Sequence, residues 1–274
     1  MAEPAAGFRA LHERAGIFVM PNPWDAGSAK LLADLGFEAI ATSSAALAWT
    51  LARVDATGAV NRDGAIAHAR VLAEASGLPV NGDFESGYGD TPAEVAETIR
   101  RAIDAGVAGC SVEDKDQSAG ALYPFDEALR RFSAAKEAVL KSGSDFVLTG
   151  RCESFLVKGA DPLGEAVRRL KAYAAAGADV AYAPGVTKEA EVREIVGAVK
   201  IPVNVLGGLG GVSNDIPALE RLGVKRVSIG AGLAKVALGA FLKAAQGLTE
   251  RKIAFEGAAP SATLNSAFSA SLRG

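Results

Sequence analysis

Short apolar runs alternate along the chain with longer amphipathic stretches. The runs are rich in Val and Ile and only a few residues long, which is typical of strands buried in a parallel sheet. Each is followed by a polar or Gly-containing turn before the next helical pattern begins. The predicted strands are IFVM (17–20), AIATSSA (39–45), PVNGDF (79–84), GCSVED (109–114), FVLTGRC (146–152), DVAYAPG (179–185), PVNVLG (202–207) and RVSIGA (226–231).

The stretches between the runs carry helical periodicity, and several have recognisable ends. Thr91 and Asp161, each followed by Pro, are good N-caps for the helices that start there. Four segments end in nearly the same way, as DLGFEAI, DAGVAGC, AAGADVA and RLGVKRV, which indicates a repeated helix–strand unit. Clear helices are predicted over residues 25–36, 91–106, 126–143 and 161–177.

Eight strands alternating with helices within this chain length predict a (β/α)8 barrel. An open doubly wound sheet is the alternative, but the first turn after a strand, PNPWDAGS, lacks the GxGxxG fingerprint of that fold. No linker rich in Pro, Ser or Gly divides the chain, so we expect one domain over residues 1–274. The loosely patterned residues from about 248 to 274 are expected to form a C-terminal arm that packs on a partner subunit.

Composition narrows the classes of partner. The 274-residue chain has a net charge of −3 and no basic stripe, so nucleic acid is not an expected partner. No apolar run approaches the roughly 18 residues of a membrane span, and MAEPAAGFRALHERAG does not read as a signal peptide. Cys110 and Cys152 lie in apolar runs and are expected in the core of a cytoplasmic protein. His12 and His68 lie in helical segments, which disfavours a histidine metal site or a Ser-His-Asp triad.

Polar side chains gather where the predicted strands end, which is where barrel enzymes carry their sites. Several acids around a single arginine repel each other unless a divalent cation lies among them. Oxygen ligands without His or Cys suit Mg²⁺, with Mn²⁺ as a further possibility. Taken singly, each residue also allows a structural interpretation, such as a polar turn or an ion pair. The residues are Thr42, Ser43, Ser44, Asp55, Asp83, Glu85, Glu113, Asp114, Lys115, Arg151, Glu153, Asn204, Ser228 and Gly230.

These residue types suit enolate chemistry. A cation held by acids at this rim leaves coordination positions for a chelating 2-oxo acid. Arg151 can grip a carboxylate in a bidentate manner, and backbone amides around Ser43–Ala45 can bind another ligand oxygen. A metal ion stabilises the enolate that forms when a bond next to a carbonyl breaks. Cleavage of C–C bonds, cleavage of P–C bonds and decarboxylation are therefore the candidate reactions.

The chain also contains, in order, MPNPWDAGSAKLLADLGFEAIATSSAALAW, PVNGDFESGYG, SVEDKD, LTGRCESFL, and PVNVLGG followed by LGVKRVSIG. These stretches, which span about residues 17–240, resemble the isocitrate lyase/phosphoenolpyruvate mutase superfamily. The resemblance implies a Mg²⁺-dependent barrel that acts on 2-oxo acids or their precursors. It also implies a homodimer or homotetramer whose subunits exchange the last helix. By the same resemblance Asp83 is the direct metal ligand, Asp55, Glu85 and Glu113 hold metal-bound water, Arg151 binds a carboxylate and Asn204 contacts the substrate.

Two departures from the superfamily bear on the reaction. Its lyases carry a Lys-Cys-Gly-His loop after the fourth strand, where this chain has DKDQSAGALYPFDE, and a glutamate after the sixth, where it has APG ending at Gly185. Its phosphonate enzymes close a longer loop over the phosphoryl group. In this chain the loop is shorter, and its polar residues do not match those of the phosphonate enzymes. They are Lys115, Gln117, Ser118 and Tyr123.

We therefore predict, first, a C–C lyase or decarboxylase acting on a small dicarboxylate. A phosphonopyruvate-type mutase or hydrolase is the second hypothesis, and a non-catalytic protein that binds 2-oxo acids is the third. The predicted catalytic residues are Asp55, Glu113, Lys115 and Arg151, and the predicted substrate contacts are Ser43, Ser44, Ala45, Tyr123, Arg151 and Asn204.

Overall fold

The computed structural model describes residues 4–157 and 159–269. The strands are β1 (Phe18–Met20), β2 (Ile40–Ala41), β3 (Val80–Asp83), β4 (Gly109–Glu113), β5 (Lys115–Asp116), β6 (Ala121–Leu122), β7 (Val147–Arg151), β8 (Val180–Tyr182), β9 (Val203–Leu206) and β10 (Arg226–Ser228). The α-helices are α1 (Pro4–Glu13), α2 (Ala26–Asp34), α3 (Ser44–Thr50), α4 (Arg62–Ser76), α5 (Pro92–Asp104), α6 (Phe125–Ser142), α7 (Ser154–Val157), α8 (Pro162–Ala175), α9 (Glu189–Val199), α10 (Ile216–Arg221), α11 (Gly232–Thr249) and α12 (Ser261–Ser269).

Eight parallel strands form a nearly closed barrel in the order β1-β10-β9-β8-β7-β4-β3-β2. The edge strands β1 and β2 meet, because the Ala41 N–H donates to the Pro21 carbonyl at 3.0 Å. The Asn22 side chain crosses the same seam and donates to the Thr42 carbonyl at 2.7 Å. The predicted (β/α)8 barrel is confirmed, and the doubly wound alternative is wrong because the sheet has no open edges of that kind.

Each predicted strand contains one barrel strand, and the two-stranded β5–β6 hairpin is an addition to the prediction. The second predicted strand, 39–45, is too long. Ser43 lies in extended backbone and its hydroxyl accepts the Ala46 N–H at 3.4 Å, so the chain turns into α3 at Ser44. A serine that follows a strand can end it by capping the next helix.

The four predicted helices are confirmed as α2, α5, α6 and α8. Thr91 forms a capping box with Glu94 at the start of α5, and the Asp161 carboxylate accepts the Gly164 N–H at 2.9 Å at the start of α8. At the end of α6, Gly143 adopts a φ of 69°, a left-handed conformation that favours glycine. The helix boundaries are therefore set by local side-chain and backbone chemistry.

The hydrophobic core has two parts. The larger part lies between the strands and the outer helices. The smaller part fills the barrel interior beneath the strand ends, where Phe8 and Leu11 of α1 pack against residues of the strands. Arg9 bonds the carbonyls of Asp145 and Phe146, just before β7, which places α1 at the amino-terminal end of the barrel. The helix therefore covers that end of the barrel, whereas the cavity described below opens at the opposite end.

The last long helix, α11, lies mostly in solvent. Ala234 is buried, whereas Val236, Phe241 and Leu242 are each exposed by at least 65%. The residues after about 248, which lacked a clear pattern, include α12, and α12 packs on α2 of the same chain near Gly27. Within the described part of the chain, no helix is both long and apolar enough to cross a membrane.

Candidate active site

A cavity of about 360 Å³ opens where the barrel strands end. It brings together residues from the loops after β2, from β3, from β7 and from β9, which the sequence places far apart. The predicted site residues in its wall are Thr42, Ser43, Ser44, Ala45, Asp55, Asp83, Arg151, Asn204, Ser228 and Gly230.

Arg151 is the centre of the charged cluster beside this cavity. Its Nη1 bonds Asp83 Oδ1 at 3.0 Å, its Nη2 lies 3.1 Å from Glu113 Oε2, and its Nε bonds Glu153 Oε1 at 2.6 Å. Arg151 and Glu113 are register partners on β7 and β4, so the sheet itself sets this contact. A guanidinium has five N–H bonds, and two of those on Arg151 remain beyond these three contacts.

Asp83 ties the second and third strand ends together. Its Oδ2 accepts the Ser44 N–H at 3.0 Å, and its own N–H donates to the Thr42 hydroxyl at 2.7 Å. The Ser44 amide was predicted to bind a substrate oxygen. That prediction is not supported, because this amide bonds Asp83 instead.

The pKa values show how much negative charge is concentrated here. Burial, followed by the charges of Asp83 and Asp55, raises the pKa of Glu85 to about 7. Burial and then the charge of Asp83 raise the pKa of Asp55. Burial also raises the pKa of Glu113 well above its ordinary value, although Arg151 opposes the shift. These acids resist full ionisation together, and a cation beside them would relieve that repulsion.

The donor set fits a hydrated magnesium ion. Within residues 4–157 and 159–269, no three His, Cys, Asp or Glu side chains are arranged to chelate one ion directly. Mg²⁺ keeps several water ligands and binds through one or two carboxylates. A cluster with Asp55 and Asp83 in the cavity wall, near other acids that can hold water, is therefore compatible with Mg²⁺, and less so with an ion that needs a complete protein cage.

The loops that carry the acids have unusual backbones. Glu85 and Tyr88 have φ values of 48° and 53°, and Ala56, next to Asp55, has a φ of 57°. Left-handed conformations of residues other than glycine cost about 1 kcal/mol or more each. The Glu113 N–H bonds the Glu85 carbonyl at 3.0 Å and holds the first of these loops in place. The backbone thus keeps Glu85 close to the other acids.

The hairpin after β4 explains why two predicted site residues, Lys115 and Tyr123, lie outside the cavity wall. Among the described residues, the wall of the cavity does not include Lys115 or Tyr123. Lys115 pairs with Leu122 in the hairpin, and the Tyr123 ring lies 4.4 Å from the guanidinium carbon of Arg131. The predicted catalytic role of Lys115 and the predicted substrate contact of Tyr123 therefore find no support in the structure.

Gln117 and Asp114 connect this hairpin to the site in different ways. Gln117 Nε2 donates to Glu113 Oε1 at 2.5 Å, so the hairpin folds back over the charged cluster. The Asp114 side chain points away from the cavity, where it accepts the Tyr173 hydroxyl at 2.9 Å and the Glu153 N–H at 2.8 Å. Asp114 therefore fastens the loop after β7 and holds Glu153 against Arg151.

Several residues of the cavity wall were not predicted from the sequence. Tyr182 and Arg226 lie within apolar runs, where a single polar residue is an available but weak signal. Trp49 and Lys235 lie on helices at the mouth, with Lys235 Nζ 5.9 Å from the Trp49 ring centroid. The residues in question are Asn22, Trp49, Tyr182, Arg226 and Lys235.

Two other features of the sequence, the pair of cysteines and the Gly-rich loop after β9, can also be placed in the structure. Cys110 and Cys152 are buried free thiols whose pKa values are raised by burial, which fits core residues and not nucleophiles. In the Gly-rich loop after β9, the N–H groups of Gly207, Leu209 and Gly210 all donate to protein acceptors. Those three amides are not available to cradle an anion.

Comparison with known proteins places this geometry in a family. The family model for phosphoenolpyruvate phosphomutase matches residues 8–249. The chain belongs to this family. It is 28% identical to 2-methylisocitrate lyase of Escherichia coli K12 over 207 residues, 73% of this chain and 68% of that protein. It is 30% identical to oxaloacetate decarboxylase of Paraburkholderia xenovorans LB400 over 213 residues, 73% of this chain and 67% of that protein.

A solved structure is more similar still. A Burkholderia cenocepacia J2315 protein assigned to the lyases or mutases has a TM-score of 0.93 and 46% identity, covering 98% of this chain and 97% of that one. The resemblance to the phosphoenolpyruvate mutase/isocitrate lyase superfamily is confirmed, and the protein is an enzyme of that lyase and mutase superfamily.

Proposed function

We propose that this enzyme is a Mg²⁺-dependent lyase or decarboxylase that breaks a C–C bond next to a 2-oxo acid and passes through an enolpyruvate-like intermediate. The observation that carries the proposal is the contact of Arg151 with Asp83 and Glu113 beside a cavity that also contains Asp55 and Asn204. A volume of about 360 Å³ suits a small carboxylate.

We assign the metal to the acids around Arg151. Asp83, which lies in the cavity wall, would bind the ion directly, and Asp55, Glu85 and Glu113 would hold its waters. When bound, Mg²⁺ supplies positive charge that stabilises a developing enolate oxygen. It also offsets the repulsion that, together with burial, raises the pKa values of Asp55, Glu85 and Glu113.

The remaining groups bind and orient the substrate. The two N–H bonds of Arg151 that make no contact with the acids can receive a substrate carboxylate. Asn204 Nδ2 donates one hydrogen to Ser228 at 2.9 Å and keeps a second one for the ligand. Arg151 is 16% exposed and Asn204 2%, so bonds made by either are little weakened by water.

The two alternatives have less support. Phosphonopyruvate chemistry needs a cation over the phosphoryl group, and the hairpin cation Lys115 lies outside the cavity wall that the described residues form. A non-catalytic protein that binds 2-oxo acids would share the metal site and Arg151. Turnover of any substrate excludes that third hypothesis, and release of inorganic phosphate from phosphonopyruvate would favour the second.

Ligand binding tests the proposal directly. We expect Mg²⁺ with oxalate, a mimic of the pyruvate enolate, to raise the thermal midpoint by about 5 to 10 °C at 100 times its dissociation constant. Pyruvate, oxaloacetate, 2-oxoglutarate, phosphonopyruvate and 2-methylisocitrate would be compared in the same scan, and the strongest binder would then be assayed for turnover.

The matched control is the same set of ligands with EDTA in place of Mg²⁺, where we expect no shift. Equal shifts with and without the metal would contradict a metal-dependent site. A Mg²⁺-dependent shift without turnover of any member of the panel would favour the non-catalytic hypothesis.

We also propose that the protein forms a homodimer or homotetramer through α11. Val236, Phe241 and Leu242 present large apolar side chains to solvent on this helix, a pattern that marks protein interfaces. A second copy of the chain is the partner that the superfamily resemblance implies.

Assembly can be tested by changing one residue of that surface. Phe241→Glu places a charge at the proposed interface and is expected to convert the oligomer to monomer in sedimentation-velocity measurements. Gln246→Glu adds the same charge at an exposed polar position of α11 and should leave the oligomer intact. A monomeric native protein, or an oligomer that survives Phe241→Glu, would contradict this interface.

A further inference from the structure

Tyr182 is a phenol inside the candidate active site. It lies in the cavity wall at the end of β8 and is only 8% exposed. Its register partners are Arg151 on β7 and Asn204 on β9, so it lies between the two residues assigned to bind the substrate. The guanidinium carbon of Arg151 is 5.4 Å from the centroid of its ring.

A chain of hydrogen bonds leads to Tyr182 from the floor of the cavity. Arg226 Nε donates to Asn204 Oδ1 at 2.9 Å, which fixes the Asn204 amide so that its Nδ2 faces Ser228. Asn204 Nδ2 then donates to Ser228 Oγ at 2.9 Å. The Ser228 hydroxyl acts on Tyr182 in turn, because it lowers the pKa of the phenol as a hydrogen-bond donor does. With Oη as acceptor towards Ser228, the phenol hydrogen can be donated to a ligand.

Arg226, where this series of hydrogen bonds begins, also contacts two neutral side chains. Arg226 is 1% exposed, and its Nη atoms contact His12 Nε2 and Thr149 Oγ1, each at 3.1 Å. Burial, and then the charge of Arg226, lower the pKa of His12 to about 3, so the imidazole is a neutral acceptor at physiological pH. Arg226 donates to all three of these acceptors, so the Asn204 amide is held with its Oδ1 towards Arg226 and its Nδ2 towards Ser228.

We propose that Tyr182 is the proton donor to the carbon of the enolate, the role that the hairpin after β4 does not fill. This inference rests on the proposed lyase function and names a catalytic residue for it. Burial raises the pKa of Tyr182 to about 12, so the phenol carries its proton at neutral pH. Lys235, another proton-bearing group in the wall, is exposed at the mouth and lies against Trp49.

The step balances without any redox partner. The C–C bond to the departing carboxylate breaks, CO₂ leaves, and the electron pair of that bond enters the enolate of the 2-oxo acid product. That pair then forms a C–H bond with the hydrogen of Tyr182 Oη, and the O–H electron pair stays on the phenolate oxygen. Arg151 beside the ring and the hydroxyl of Ser228 stabilise the phenolate, which regains a proton from water.

Exchange of the pyruvate methyl hydrogens in D₂O tests this step without knowledge of the natural substrate. The same proton transfer, run in both directions with Mg²⁺ present, replaces these hydrogens with deuterium, which proton NMR measures. We expect Tyr182→Phe to slow exchange at least 100-fold while the dissociation constant for Mg²⁺-dependent oxalate binding changes less than about threefold. Ser76→Ala removes a buried hydroxyl that bonds the Leu72 carbonyl within α4, outside the cavity wall, and should change neither quantity by more than threefold.

The outcomes distinguish a failure of the role proposed for Tyr182 from a failure of the proposed lyase function. Full exchange activity in Tyr182→Phe would overturn the role of Tyr182 and leave the lyase proposal standing. No exchange by the native enzyme, together with no Mg²⁺-dependent oxalate binding, would overturn both. If Tyr182→Phe binds oxalate poorly, the Ser228→Ala variant is measured instead. A three- to tenfold loss of its exchange rate at unchanged oxalate affinity supports the donor role of Tyr182. An unchanged exchange rate overturns that role.

Discussion

Replacing Asp83 with Asn is expected to remove Mg²⁺-dependent oxalate binding while leaving the fold in place. Asn keeps one oxygen that can accept from Arg151 or from the Ser44 amide, so the local hydrogen bonds are largely retained. The substitution removes the negative charge with which Asp83 would bind the metal ion. We expect oxalate affinity in Mg²⁺ to fall by about 100-fold or more, equivalent to about 2.7 kcal/mol.

Isothermal titration with oxalate in Mg²⁺ measures that loss, and thermal unfolding measures the fold. The midpoint should stay within about 4 °C of the native value, because lost attraction to Arg151 is offset by relief of repulsion from Asp55 and Glu85. The matched control is Asp215→Asn, which removes the same charge at the N-cap of α10. Asn caps a helix equally well, so this variant should keep both oxalate binding and the fold. Normal oxalate binding by Asp83→Asn would exclude Asp83 as the metal ligand.

Replacing Arg151 with Met should have a larger effect on stability. The arginine contacts three carboxylates, and removing one partner of a buried ion pair typically costs about 3–5 kcal/mol. We expect the midpoint at pH 8 to fall by about 10 °C and oxalate binding to be lost. Arg130→Met breaks an exposed pair with Glu127 and should cost at most about 1 kcal/mol.

The penalty of Arg151→Met should depend on pH. Burial already raises the pKa of Glu113, and removing Arg151 raises it further. The folded variant then binds more protons than its unfolded chain between the ordinary pKa of a glutamate and the raised one. Its destabilisation is therefore complete above the raised pKa and decreases as the pH falls. Midpoints of native and variant proteins should converge from pH 8 to pH 5, and a constant difference would contradict this account.

The barrel could be predicted because its information is local. Thr91, Asp161 and Gly143 mark helix ends through their own backbone and capping chemistry, and short Val-rich runs mark the strands. The acids at the strand ends were predicted for a similar reason. In a parallel barrel all carboxyl ends of strands meet at one rim, so Asp83 and Arg151 converge whatever the details of the loops.

Tyr182 and Arg226 could not be placed in the same way. Strands of a barrel are buried on both faces, so the alternation that would reveal which side chains point inward is weak. The positions of Lys115 and Tyr123 could not be predicted for another reason. Nothing in a polar loop sequence shows that it folds into a hairpin beside the cavity wall, and neither residue is part of that wall as the described residues form it.

The backbone at both ends of that hairpin is joined to the barrel through Asp114. The Asp114 N–H bonds the Arg151 carbonyl at 3.2 Å, and the Asp114 carbonyl accepts the Tyr123 N–H at 2.8 Å. The backbone of one residue thus joins both ends of the segment to the fixed strands. The segment between β5 and β6 can change in length and content during evolution without loss of the barrel. One scaffold can thereby acquire different reactions by replacing a few residues, and an enzyme engineer could graft a foreign segment at the same two points.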